Sequence, residues 1–240
     1  ARYLVLAEGA NARLSNQFWP DDRVLIPALE SEVFLPPEAM ARYAGVARFD
    51  FDVLPSGYGW LFPKGDHVSV GIGSFAKKNE HLQKLFDDYK VTLGLPPNAL
   101  ERNRRGYIIP IKPRQGPMMK QRMLLVGDAA GFADPVTAEG FSYAIKSGLE
   151  AGKAIVTGQS PEEVGALYQA GIAQDVVQEL NIASQCAKPF YASSTLRKLA
   201  IRQYGPRLFK GMVGLIEGKR SYGQAMANKS PVVRYIAGLK

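Results

Sequence analysis

Residues 123–148 read MLLVGDAAGFADPVTAEGFSYAIKSG, and the order of residue types in this stretch decides the fold. Met123-Leu124-Leu125-Val126 is a short continuous apolar run closed by Gly127, the pattern of a strand buried on both faces of a sheet. Gly127-Asp128 breaks that strand, and Ala129, Ala130 and Gly131 keep the following turn free of bulk, so backbone can approach a ligand closely. Asp134, Pro135 and Thr137 are helix-start residues, as caps or as a proline in the first turn. Phe141, Ala144, Ile145, Gly148 and Leu149 then recur at helical spacing and predict a helix over 138–157. The unit is a strand, a carboxylate at its carboxyl end, a small-residue turn and a helix. In open α/β sheets ligands bind in the crevice at that end, and a helix N-terminus there favours negative charge. A lone Gly-Asp after a strand is more often a plain turn; the information lies in the whole set.

As a set, GDAAGF–P–T–x–E–G–F–x–A–x–x–SG resembles the second flavin motif of the FAD-dependent oxidoreductases with the para-hydroxybenzoate-hydroxylase-like fold. Within that group it is most similar to the geranylgeranyl reductase family. The resemblance implies an FAD site made by Gly127, Asp128, Ala129, Pro135, Thr137, Ala138, Glu139 and Gly140. Asp128 would hydrogen-bond the ribityl chain, and the turn from Pro135 to Gly140 would face the pyrimidine side of the isoalloxazine. Backbone donors and the helix dipole would there stabilise the negative charge of a reduced flavin. Ala138 departs from the pattern, which has glycine at this place. Residues 2–14, RYLVLAEGANARL, resemble a further motif of these flavoproteins, ADGxxSxxR, with Glu8 in place of aspartate, Ala12 in place of serine, and Arg13 near the basic position.

Between the two motifs the chain is rich in strand patterns. Val24–Leu35 and Tyr43–Leu54 carry β-branched and aromatic residues, and 57–73 reads as a hairpin turning at Lys64-Gly65-Asp66. Tyr58, Trp60 and Phe62 fall on one face of it, the largest aromatic patch in the chain. A sheet face packed on the core explains such a patch. The run Y-x-W-x-F-P-K with H-x-x-V-G-x-G also resembles a hallmark of the geranylgeranyl reductases, which implies the roof of a substrate cavity, an apolar wall with few polar demands. The same resemblance places Tyr107, in Gly106-Tyr-Ile-Ile-Pro110, beside the flavin; Tyr58 and Tyr107 are candidates by position for the proton donor, with structural roles as the alternative. Gly71-x-Gly73-x-x-Ala76 matches a dinucleotide fingerprint only superficially, because Lys77-Lys78-Asn79-Glu80 follows instead of an apolar helix start. A GxGxxG after a first Rossmann strand does not occur in these 240 residues, and the chain reads as a piece of something longer. Glu80–Leu93 predicts a helix, Leu100–Ile111 a strand and Lys112–Arg122 a loop, with a further helix opening at Ser160 or Pro161.

At 46% hydrophobic and 22% charged residues the chain can bury a sizeable core. One cysteine, Cys186, excludes an internal disulfide framework and suggests a reducing compartment, and two histidines, His67 and His81, leave little material for a zinc site or a Ser/His pair. No apolar run reaches membrane-spanning length and no signal peptide is present, so a cytoplasmic protein peripheral to the membrane is expected. The net charge of +8 is uneven: residues 187–240 hold eleven Lys or Arg against one acid, Glu217, leaving nineteen basic against twenty-one acidic residues before them. Apolar residues at helical spacing through this tail, with bases between them, suit anionic lipid headgroups or a diphosphate-bearing substrate. Nucleic acid is not expected, as no nucleic-acid module accompanies the charge.

These observations predict an α/β (α+β) protein carrying the C-terminal part of a flavoprotein fold. Residues 1–20 and 105–160 would belong to the FAD-binding domain, 21–104 to a substrate-binding sheet and 161–240 to a helical region. The resemblance implies FAD, reduced by NAD(P)H or another donor, and hydride delivery to an isoprenoid double bond. A flavin monooxygenase acting on a ring substrate, and a basic membrane- or partner-binding domain without catalysis, are the alternatives.

Overall fold

The computed structural model describes residues 1–76 and 81–227. Along the chain these form β1 (Leu4–Leu6), α1 (Ser15–Phe18), β2 (Leu25–Phe34), α2 (Pro37–Met40), β3 (Arg48–Asp50), β4 (Gly57–Pro63), β5 (His67–Ser74), α3 (Leu82–Thr92), β6 (Leu100–Pro110), β7 (Met119–Lys120), β8 (Met123–Leu125), α4 (Phe141–Thr157), α5 (Pro161–Ile172), α6 (Glu179–Ala192), α7 (Ser194–Ile216) and α8 (Tyr222–Ala227). A 3-10 turn, Gly127–Ala130, follows β8, and a π-helical stretch, Ala173–Gln178, joins α5 to α6. Two compact units result: Ala1–Leu25, Ile109–Phe190 and the chain from Thr195 onward make one, and Ile26–Ile108 with Tyr191–Ser194 make the other.

The first unit is built on a sheet in the order β1-β8-β7. β1 runs parallel to β8, Leu4 opposite Met123 and Leu6 opposite Leu125, and β7 is antiparallel to β8. β7 was not foreseen; it lies inside the expected 112–122 loop. Leu124 and Leu125 are fully buried, as an apolar run between covered faces requires. They pack in one core with Phe132, Tyr143 and Ala151, and with Val164, Tyr168 and Ile172 of α5. Tyr168 is buried to its hydroxyl, which donates to the Leu125 carbonyl at 2.5 Å. Ser160 caps α5, its hydroxyl accepting from the Glu163 N–H at 3.2 Å while the Glu163 carboxylate accepts from the Gln159 N–H, and Pro161 occupies the first turn.

α4 corrects the sequence reading at its start. It starts at Phe141, with Gly140 at its cap position, and not at 138. Its buried face is Tyr143, Ser147, Ala151 and Ala154, whereas Phe141 is 76% and Leu149 59% exposed. Close approach to the β8 turn selects small residues: a Cβ on Gly127 would stand 3.1 Å from that of Ala144. The larger apolar residues at 141, 145 and 149 are therefore turned the other way.

The second unit is a five-stranded sheet ordered β3-β4-β5-β2-β6. β4 and β5 form the expected hairpin, Tyr58 opposite Gly73 and Trp60 opposite Gly71, so Gly71 and Gly73 lie in a hairpin strand and open no nucleotide-binding helix. Of the strand expected over 43–54, only Arg48–Asp50 pairs; turns at 41–45 and 51–56 take the rest. One face of the sheet carries Leu61, Val68, Val70 and Ile72 and packs against Phe86 and Tyr89 of α3. The other carries Phe49, Tyr58, Trp60 and Phe62. Each face has a glycine beneath an aromatic ring: a Cβ on Gly59 would fall 2.5 Å from the Tyr89 ring, and one on Gly71 would fall 2.1 Å from the Trp60 indole. Tyr89 is buried in the core and tied to Asp50 through its hydroxyl at 2.8 Å, but Trp60 is only half-buried and has room to leave. Gly59→Ala is therefore expected to cost about 1–3 kcal/mol in urea unfolding, as overpacking does. Gly71→Ala should cost less, and it should red-shift the emission of Trp60 in a Trp19→Phe background as the indole swings into water.

α7 runs from Ser194 to Ile216. Arg197 is 1% exposed and donates to the Phe190 carbonyl at 3.2 Å, so it is no part of a solvent-facing basic surface. Leu196, Leu199, Phe209 and Ile216 are exposed alongside Lys198, Arg202, Arg207 and Lys210. Lys229, Arg234 and Lys240 of the basic tail, and Lys77–Glu80, lie outside the described residues. Among the described residues no helix is long and apolar enough to cross a membrane.

Candidate functional site

The turn after β8 is held from three sides. From α4, the Ser147 hydroxyl accepts from the Gly127 N–H at 3.0 Å and donates to the Tyr143 carbonyl at 2.8 Å. From elsewhere in the unit come two buried guanidinium groups. Arg23 Nη1 donates to the Asp128 and Ala10 carbonyls, each at 2.9 Å, and Arg114 Nε donates to the Ala129 carbonyl at 2.8 Å. Arg114 also reaches the Pro20 carbonyl at 2.6 Å and the Asn16 side chain. Arg23 pairs with Asp21 at 2.7 Å, and the hydrogen bond from that guanidinium holds the Asp21 pKa at about 2. Burial lowers the pKa of Arg114. Sequence reasoning missed both arginines; the available signal was an arginine set among turn residues, in Asp21-Asp22-Arg23 and in Pro113-Arg114-Gln115-Gly116. The first motif contributes through Glu8, whose carboxylate accepts from the Leu14 N–H at 2.8 Å and the Ser15 N–H at 2.5 Å and so opens α1.

Gly131 ends the turn at φ +84°, with the Lys112 carbonyl oxygen 2.2 Å from where a Cβ would stand. Next comes a closed loop governed by Asp134. Its Oδ1 accepts from the N–H groups of Val136 at 2.7 Å and Thr137 at 3.0 Å. Its carbonyl accepts from the Ala138 N–H at 2.8 Å, and its own N–H donates to the Glu139 carbonyl at 2.7 Å. Asp134, Pro135 and Thr137 are thus turn residues, not the start of α4, and the N–H groups of 136, 137 and 138 are not available to a ligand. Among the described residues those of Gly140 and Phe141 carry no such bond. Ala138 sits at φ +57°, a left-handed conformation that costs a non-glycine residue about 1–2 kcal/mol, which gives a physical reason for glycine at this place in the motif.

Asp128 differs from its neighbours. Its carboxyl is half-buried, 2.8 Å from where a Cβ on Gly140 would stand, and makes no hydrogen bond among the described residues. Burial raises its pKa, the charge on Arg23 opposing. Gly127, Asp128, Ala129 and Gly140 are therefore brought together, while Pro135, Thr137, Ala138 and Glu139 follow on the Asp134 loop. A cavity of about 570 Å³, walled by Thr137, Glu139, Tyr143 and Lys146 on one side and by residues 215–221 on another, adjoins that loop.

In the second unit Tyr58, Trp60 and Phe62 are neighbours, with ring centroids 6.0 Å apart for Tyr58 and Trp60 and 6.4 Å for Trp60 and Phe62. Phe49 joins them, 5.2 Å from Phe62. They lie on the sheet face away from α3, outside the cluster of Leu61, Val68, Val70 and Ile72, and Tyr58 is itself buried. Polar groups share this face: the Trp60 indole N–H donates to Ser69 Oγ at 3.4 Å, and Ser69 donates to Glu30 Oε1 at 2.5 Å. Tyr107 is exposed on β6, two strands beyond β5, and stands apart from the patch. Among the described residues no group of three or more acidic, histidine or cysteine side chains is placed to hold a metal ion.

No protein-family model matches the chain. Among curated proteins it is 34% identical over 160 residues to geranylgeranyl diphosphate reductase, chloroplastic, of Arabidopsis thaliana, covering 63% of this chain and 33% of that protein. It is 37% identical over 111 residues to digeranylgeranylglycerophospholipid reductase of Methanococcus vannielii, covering 42% of this chain and 27% of that protein. Among solved structures it superposes on a geranylgeranyl bacteriochlorophyll reductase-like protein from Thermoplasma acidophilum with a TM-score of 0.66 at 21% identity, over 80% of this chain and 51% of the other. The flavin-dependent halogenase CmlS gives 0.57 at 20% identity, over 79% and 37%. The chain spans about a third of the length of these two curated relatives. The chain is thus a sequence relative of the geranylgeranyl reductases over part of their length, on the fold of the FAD-dependent oxidoreductases.

Proposed function

We propose that this chain is part of an FAD-dependent oxidoreductase that reduces carbon–carbon double bonds of a geranylgeranyl-type isoprenoid, with NAD(P)H as electron donor. The observation that carries the reading is the Asp128 carboxyl, half-buried on a small-residue turn without a hydrogen-bond partner among the described residues. A desolvated acceptor in that state fits a ligand rich in hydroxyl groups, which would donate to it and offset its loss of water. The ribityl chain of FAD is such a ligand. The free N–H groups of Gly140 and Phe141 suit an electron-rich carbonyl edge, and Arg23 and Arg114 hold the turn in shape by its carbonyls. FAD, when bound and reduced, supplies hydride. Tyr58, Trp60 and Phe62 would give the isoprenoid an apolar wall, the Ser69–Glu30 pair fixing the indole.

The test is the complete protein: its visible absorbance spectrum, then anaerobic incubation with NADPH and geranylgeranyl diphosphate. Flavin bands, and product gaining two hydrogens per double bond without oxygen uptake, are expected. A colourless protein, or NADPH oxidation that needs oxygen, would defeat the reading.

Isoprenoid substrates reside in or at bilayers, and we propose that the exposed face of α7 meets an anionic membrane surface. Each basic residue at such a surface contributes about 1 kcal/mol, so replacing Lys198, Arg202 and Arg207 by glutamine should weaken binding to phosphatidylserine-containing vesicles about a hundredfold. Neutral vesicles should bind neither protein. Arg197→Gln, by contrast, should act on stability and not on vesicle binding, because that side chain is buried.

A further inference from the structure

The Asp134 loop has a partner 88 residues further along the chain. Tyr222, itself buried, donates its hydroxyl to Asp134 Oδ1 at 3.1 Å, the same oxygen that gathers the N–H groups of Val136 and Thr137. Asp134 is buried as well, so a hydrogen bond delivered there is not replaced by water. Tyr222 is in turn fixed by Glu179, whose carboxylate accepts from the Tyr222 N–H at 2.5 Å and the Gly223 N–H at 2.8 Å. Glu179 opens α6 directly after the π-helical stretch; wider turns of this kind shift the helical phase and so change which side a residue presents. The contact matters because the loop borders open space on one side, where Thr137 and Glu139 line the 570 Å³ cavity.

We infer that Tyr222 is a positioning residue for the 134–139 loop, so that the segment following α7 sets the geometry of the loop that the flavin motif places against the cofactor. The coupling stands on the structure alone; its bearing on the cofactor rests on the flavin reading above. The order of action is Glu179, then Tyr222, then Asp134, then the backbone of Val136 and Thr137.

The experiment compares the complete protein with its Tyr222→Phe variant, which keeps the ring and removes the donor. Amide hydrogen exchange at 136–138 should quicken roughly five- to tenfold, as expected for loss of one buried hydrogen bond, while amides in the middle of α5 keep their rates. FAD titration should show weaker binding by a similar factor. If Tyr222→Phe does not fold, Glu179→Gln, which loosens the Tyr222 backbone and leaves the ring and hydroxyl intact, gives the same readout. Unchanged exchange at 136–138, or exchange that quickens equally in α5, overturns the inference whatever FAD does. Faster exchange at 136–138 with unaltered FAD affinity supports the positioning role and counts against the loop facing the flavin.

Discussion

Gly131→Ala should cost about 3 kcal/mol or more of unfolding free energy, since a left-handed conformation and an overpacked contact add. Gly131 has φ +84°, and the added methyl would stand 2.2 Å from the Lys112 carbonyl oxygen. That oxygen belongs to backbone packed under the turn, so it cannot swing aside as a side chain would. Gly116 is the control: it has φ +83° in the same unit but nothing within reach of a Cβ. Gly116→Ala should therefore show the conformational cost alone, about 1–2 kcal/mol. Urea unfolding of both variants measures the difference. Equal losses would mean that the turn relaxes freely and that its close contact with 112–113 does not hold the motif.

Asp128→Ala should separate binding from stability. Hydrogen bonds to a charged group contribute about 1.5–3 kcal/mol, so loss of the carboxylate should weaken FAD tenfold to about a hundredfold. The protein without FAD should be no less stable, because the carboxyl has no hydrogen-bond partner among the described residues to lose. The sign follows from the pKa: burial raises it in the folded state, so ionisation at neutral pH works against folding, and that opposition is relieved as pH falls through the carboxylate range. Thermal unfolding and flavin fluorescence titration give the two numbers. A destabilised variant with unchanged FAD affinity would make Asp128 a structural residue.

Part of this was legible in the sequence. The 123–126 strand, the 57–73 hairpin and the helix start at Ser160 depend on near neighbours in the chain, and local pattern reads them to within a residue. The beginning of α4 was misplaced because Asp134, a good helix cap by residue type, spends its acceptors on a closed loop instead. The buried face of α4 could not be read from its apolar spacing, because the close approach at Gly127 selects small residues. Arg23, Arg114 and Arg197 were read as surface charge or passed over. Each is buried by bonds to carbonyls of the chain, and a carbonyl has no sequence signature. The link from Tyr222 to Asp134 joins stretches that no local pattern connects.

The pairing of Leu4 with Met123 has a consequence for how the chain is assembled. β1 leaves the ribosome long before its parallel partner, and the Ile26–Ile108 part of the second unit is made between them. Closing so long a loop is entropically costly and slow when the intervening chain is unfolded. The second unit shortens the route, because β2 and β6, the strands by which the chain enters and leaves it, are neighbours in its sheet, and the Ile111 N–H bonds to the Val24 carbonyl at 2.9 Å. Once β2 and β6 have paired, Val24 and Ile111 next to them are held side by side. The pairing of β2 with β6 is thus expected to speed the closure that brings β1 beside β8 and sets the Gly-Asp turn.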